Sequence, residues 1–157
     1  SSKMKIASTF IVSLICIQLY ACHKNNGINR TNVRDNPSTA DTTKMKITIG
    51  TNVFIATLFD NETAAAFKAK LPVTINMTEL NGNEKYGGLS DNLPVNASNP
   101  GTIQTGDLML YGSRTLVLFY KTFSTPYSYT RVGRLDDPSG LAAALGTGDP
   151  TVKFELE

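Results

Sequence analysis

Side chains able to do thiolate or imidazole chemistry are few in this 157-residue chain, and they lie together at one end. Cys16, Cys22 and the single histidine, His23, all fall within the first stretch, so everything after residue 23 has neither thiol nor imidazole. That excludes Ser-His-Asp and Cys-His nucleophile systems and any zinc site built on histidine or thiolate from the rest of the chain. An all-oxygen calcium site would need alternating acidic and amide residues. Asp136-Asp137, the one adjacent acidic pair, lacks that spacing and fits a solvated turn. Gly146-Thr147-Gly148 has no strand before it and no Lys-Ser/Thr after it, so it does not match a phosphate loop. No metal and no cofactor is called for. What remains is recognition chemistry: Tyr86, Tyr111, Tyr120, Tyr127 and Tyr129 offer apolar faces with polar handles that suit a peptide groove, though some must be packing residues.

Charge narrows the partners. The formal charge is +2, yet from Met45 to Glu157 nine Lys/Arg face eleven Asp/Glu, a net of −2. A slightly acidic domain without a basic run is a poor nucleic-acid binder, because phosphate neutralisation supplies most of that affinity.

The elements that must position these residues are short. Met45 to Ile49 alternates apolar and polar, and Asn52 to Phe59 follows after Gly50, which predicts an antiparallel hairpin. Asp60 or Asn61 can cap a helix over Thr63 to Ala69, which Pro72 stops. Val73 to Leu80 reads as one strand with Val73, Ile75, Met77 and Glu79 on one face, and Asn81-Gly82 predicts a tight turn. Gly87 to Gly101 is a polar, turn-rich loop of functional length. Asp107–Gly112 and Thr115–Lys121 read as adjacent buried strands, and Tyr129–Leu135 as another. Ser139 can cap a helix over Gly140–Leu145 that Gly146 ends, and Thr151–Leu156 closes the chain as a strand. Many short strands with two brief helices predict a mainly β protein: a closed barrel with two short capping helices.

The N-terminal region follows different physics. Lys3 and Lys5 precede an apolar run, Ile6 to Leu19, too short to span a bilayer comfortably, and Ala21 provides a small residue before a cut. Leu19-Tyr20-Ala21-Cys22 resembles the lipobox of bacterial lipoproteins. That resemblance implies a signal peptide over 1–21, lipidation at Cys22, and a membrane-anchored protein of the bacterial envelope facing the periplasm or the cell surface. Several acyl chains, at about 0.8 kcal/mol per buried methylene, anchor stably where one is marginal. An ordinary cleaved signal and a retained membrane segment are the alternatives. His23 to Lys44 is rich in Asn, Thr and Ser and reads as a disordered tether. Together with Cys22 it makes up a segment 22–44 ahead of a domain over 45–157.

Within that domain three patches, in order, are similar to the cyclophilins and to the bacterial cyclophilin-like domains. Ile55 to Ala69 resembles the strand entering a "PKTAENFRAL" helix, with Thr63, Ala64 and Phe67 on its Thr, Ala and Phe. Gln104 to Leu110 is similar to "TGPGILSMAN", and Tyr129 to Leu135, with Leu141 to Leu145 after it, to "HVVFGKV" and the final helix. The resemblance implies a cyclophilin-like barrel over Ile47 to Phe154.

In that family a guanidinium in a Phe-His-Arg motif favours the twisted prolyl amide while an apolar pocket grips the ring. This chain has no Phe-His-Arg and no tryptophan, and Tyr129 stands where the family has a histidine. Leu118 stands where the pocket phenylalanine would lie, and the mapping places Tyr120 and Tyr129 near the inherited pocket, with Tyr86 in the region that lost the arginine. Arg131 or Arg114 could replace the missing cation from another strand, the plain alternative for each being a surface ion pair. Three functions compete. One is a non-catalytic module binding a peptide, a small molecule or an envelope protein through Tyr86, Leu118, Tyr120 and Tyr129. The second is a prolyl isomerase with a relocated arginine, and the third a structural accessory of an envelope assembly.

Overall fold

The computed structural model describes residues 42–157. The expected signal peptide over 1–21, the expected lipidation site Cys22 and the expected tether as far as residue 41 lie outside the described residues.

The first hairpin forms as its alternation predicts. Strand β1 (Lys44–Ile49) buries Met45, Ile47 and Ile49 and pairs antiparallel with β2 (Asn52–Leu58). Gly50 takes the left-handed φ of 58° that the turn requires. Pairing begins slightly ahead of the predicted hairpin: the Leu58 N–H donates to the Thr43 carbonyl at 3.0 Å, and Lys44 joins the ladder. Helix α1 (Glu62–Lys68) is capped by Asn61, whose Oδ1 accepts from the Ala64 N–H at 2.8 Å. Its buried face carries Thr63, Ala64 and Phe67, and the Phe67 ring meets Phe154 edge-on at 5.8 Å.

The segment expected to be one strand is two, β3 (Val73–Asn76) and β4 (Thr78–Leu80), with the break at the fully buried Met77. There follow β5 (Glu84–Gly88), β6 (Thr102–Ile103), β7 (Asp107–Tyr111), β8 (Thr115–Phe119), β9 (Phe123–Ser124) and β10 (Thr130–Leu135). Helix α2 (Leu141–Leu145) and β11 (Thr151–Leu156) complete the chain. Gly140, not Ser139, stands at the N-cap of α2, in the left-handed region at φ 81°, with no side-chain cap. The Ser139 N–H donates instead to Asp137 Oδ1 at 2.9 Å. The loop expected from Gly87 starts later, since β5 runs through Gly88, and it is not wholly polar in role: Leu89 and Leu93 are buried in the core.

Nine strands form one antiparallel sheet in the order β3-β11-β1-β2-β10-β7-β8-β5-β4. Its two outer strands are consecutive in the chain, so one bent segment, Val73–Leu80, lies at both edges and nearly closes the sheet into a barrel. The seam is tight. A Cβ on Gly87 would meet Ile75 Cγ2 at 2.3 Å, so only glycine permits β5 to approach β3 there.

Two apolar clusters result. The larger fills the barrel and takes in Phe67 of α1 and Leu141 and Leu145 of α2. The smaller, Ile103, Met109, Val117, Phe119 and Tyr129, includes alternate residues of β7 and β8, with Tyr86 and Phe123 packed against it. Alternation requires this separation: Leu108, Leu110, Leu116 and Leu118 point inward, while Met109, Val117 and Phe119 point to the other face.

Candidate functional site

That second face carries a cleft of about 590 Å³. Strand β5 sends Glu84 and Tyr86 to it, and the register places Glu84 opposite Phe119 and Tyr86 opposite Val117. The β4–β5 turn supplies one end. Asn81 and Gly82 adopt φ of 55° and 65°, and the Asn83 N–H donates to the Leu80 carbonyl at 3.3 Å, as the Asn-Gly signal requires. Phe123 of β9 and the Thr125–Tyr127 loop form the opposite side. Aromatic rings continue across the face. Tyr127 lies 6.5 Å from Tyr111, Tyr111 is 5.7 Å from Tyr129, Tyr129 is 5.4 Å from Phe119, and Phe119 is 5.8 Å from Phe123.

The electrostatics of the cleft are one-sided. Glu84 is its only charged residue, 8% exposed, with no hydrogen bond or ion pair among the described residues. Burial pushes its carboxyl above the ordinary carboxylate value, and the nearby charge of Glu79 adds to the shift. Tyr129 is raised by burial and then by the charge of Glu84, against the pull of a hydrogen bond with Thr125. Asn83, also in the lining, has a buried Oδ1 without a donor. Among the described residues no arginine, lysine or histidine lines this cleft.

The tyrosines divide between two environments. Tyr86 and Tyr129 share the cleft, as do Tyr111 and Tyr127. Tyr120 does not: its hydroxyl lies 2.9 Å from both Glu79 carboxylate oxygens, and the Lys85 ammonium sits 5.5 Å from its ring centroid. Burial and the Glu79 hydrogen bond push the Tyr120 phenol up to about 12. Leu118 also lies away from the cleft, fully buried in the barrel core, because strand alternation hands the cleft positions to Val117 and Phe119. Arg131 is exposed on β10 and lines a separate cavity, also about 590 Å³, with Asn61, Glu62 and Asn96. Arg114 is exposed in the turn between β7 and β8. Neither reaches the tyrosine cleft.

Sequence reasoning passed over Glu84 and Asn83. Their signal was present, since fixing the Asn81-Gly82 turn and the inward face of Met77 and Glu79 determines which β5 residues point the other way.

The Tyr120 environment is a closed network. Glu79 accepts from Lys85 at 2.5 Å, from Tyr120 and from the Gly82 N–H at 2.7 Å. Burial tends to raise its carboxyl, and these bonds outweigh burial to hold it below the ordinary value. Lys85 is fully buried and also donates to the carbonyls of Gly146 at 2.9 Å and Gly148 at 2.6 Å. The Gly146–Gly148 segment thus offers oxygens to a cation, the opposite polarity from a phosphate loop. Asp136 is likewise engaged, by Lys44 at 2.7 Å and Thr57 at 2.5 Å. Among the described residues no acidic, histidine or cysteine cluster is arranged to hold a metal, and no helix is long and apolar enough to cross a membrane.

An antiparallel barrel nearly closed by one bent segment, with two short helices adding to its core, is a cyclophilin-like barrel. The sequence profile of the Cyclophilin-like family matches residues 47–157, and the chain belongs to that family. A similar solved structure is the solution structure of the hypothetical protein AF2241 from Archaeoglobus fulgidus. It is 18% identical with a TM-score of 0.56, over 74% of this chain and 95% of that one, and the likeness bears on the fold alone. No curated protein matches the sequence.

Proposed function

We propose that this is a lipid-anchored bacterial envelope protein whose cyclophilin-like domain is a non-catalytic binding module, its tyrosine cleft receiving an extended peptide or another ligand of peptide-like chemistry. The single observation that carries the reading is a cleft of about 590 Å³ lined by four tyrosines with no guanidinium among the described residues that line it. Such a wall grips apolar and peptide groups through ring faces and hydroxyls. It has no cation to aim at a prolyl nitrogen, which is what acceleration of the rotation would need. Arg131 favours the second reading, a relocated-arginine isomerase, only in that it lines a cavity of its own. Anchoring at Cys22 rests on the lipobox resemblance.

A titration with blocked extended tetrapeptides, half of them containing proline, separates the readings. The probes are the resonances of the cleft tyrosines and the cis–trans exchange of the prolyl signals. Expected are shifts at Tyr86 and Tyr129 with prolyl exchange at its thermal rate. Accelerated exchange that disappears in Arg131→Ala, with the cleft tyrosines unmoved, would replace the binding reading by the isomerase.

A further inference from the structure

The binding reading leaves the ligand's chemistry open, and Glu84 narrows it. A carboxylate on a residue set this deeply is costly unless paired, and native structures pair such groups with cations or donors. Among the described residues, Glu84, 8% exposed, has neither hydrogen bond nor ion pair, and no cation lines the cleft it faces.

Glu84 shares this lining with the aromatic residues of the cleft, whose ring faces attract cations, most strongly where water is excluded. An inorganic cation would want several oxygen ligands, and the cleft supplies a single carboxylate among rings. An organic cation satisfies both, with N–H groups for Glu84 and a diffuse charge for the tyrosines.

The cleft lining also includes Leu80, Tyr111 and Tyr127, 40%, 49% and 59% exposed, whose accessible apolar surface suits a cation on an alkyl stem attached to a longer chain. Resting on the proposed binding role of this cleft, we propose that it takes the ammonium or guanidinium head of a lysine or arginine side chain presented by an extended peptide, with Glu84 as the counter-charge.

Calorimetric titration of the full chain with blocked Gly-Gly-Arg-Gly-Gly, and with the same peptide carrying citrulline, the neutral isostere, tests this directly. The pair of lysine and norleucine peptides repeats it, and butylguanidinium serves as the free cation. Expected is binding of the arginine peptide about tenfold tighter than the citrulline peptide, with the gap collapsing in Glu84→Gln. Equal affinity for arginine and citrulline overturns the cation inference while leaving the cleft a binding site. No binding by any peptide overturns both. A preference that survives Glu84→Gln removes Glu84 as the counter-charge, and butylguanidinium binding as tightly as the peptide overturns the peptide as carrier. The arginine–citrulline comparison in the unmodified protein stands whether or not the variant folds.

Discussion

Glu79 and Glu84 flank the same turn, on either side of the same barrel wall, and their carboxyls are shifted in opposite directions. The Glu79 carboxyl is held below its ordinary 4.5, so its contribution to stability is present above that value and is lost as pH falls through the lower folded value. The Glu84 carboxyl is raised, so its contribution is fully present below 4.5 and is lost as pH rises through the higher folded value. Thermal melts of Glu84→Gln should therefore show a gain over the unmodified protein at about pH 7 that vanishes near pH 4. A variant no more stable than its parent at neutral pH would contradict the burial argument. Glu79→Ala should act the other way, costing about 3 kcal/mol at neutral pH in a urea titration, because it leaves the fully buried Lys85 without its counter-charge. A loss below about 0.5 kcal/mol would mean that the carbonyls of Gly146 and Gly148 suffice for Lys85.

At the scale of elements, closure depends on one close approach. Gly87→Ala places a Cβ 2.3 Å from Ile75 Cγ2 and 3.1 Å from the Asn76 carbonyl, in a core with no slack, and should cost about 1–3 kcal/mol in denaturant unfolding. Gly88→Ala, one residue further along the same strand and facing open space, should change stability by less than about 0.5 kcal/mol. Equal effects at the two positions would mean that the seam is not the reason for the glycine. Local elements were legible where short-range physics decides them. The first hairpin follows from alternation, α1 from the Asn61 cap, and the β4–β5 turn from Asn81-Gly82. The break at Met77 was not legible, because it arises where one segment must serve both edges of the sheet. The two-residue strands β6 and β9 were not legible either, since each exists only through pairing with a distant partner.

For the whole molecule, the family match covers residues 47–157, while the proposed location rests on the lipobox resemblance ahead of it. If the anchor is a lipid, the protein expressed with its leader in a bacterial host should partition into detergent phase with an acyl mass increment, and Cys22→Ser should abolish both. Detergent partitioning that persists in Cys22→Ser would point to a retained apolar segment. A water-soluble parent without added mass would point to an ordinary cleaved signal.

Composition and local pattern alone determined that chemistry based on histidine or cysteine is absent after residue 23, that the 45–157 region is mainly β, and that the order of its elements resembles the cyclophilins. Tertiary structure alone decided which tyrosines meet. Tyr86 and Tyr129 converge on one cleft, Tyr120 is bound to Glu79, Leu118 is in the core, and Arg131 lines a different cavity. The reason is geometric. Periodicity tells which residues share a face, but which face of each strand lies inside a barrel, and which neighbour crosses it, is set by register and closure between segments far apart in the chain.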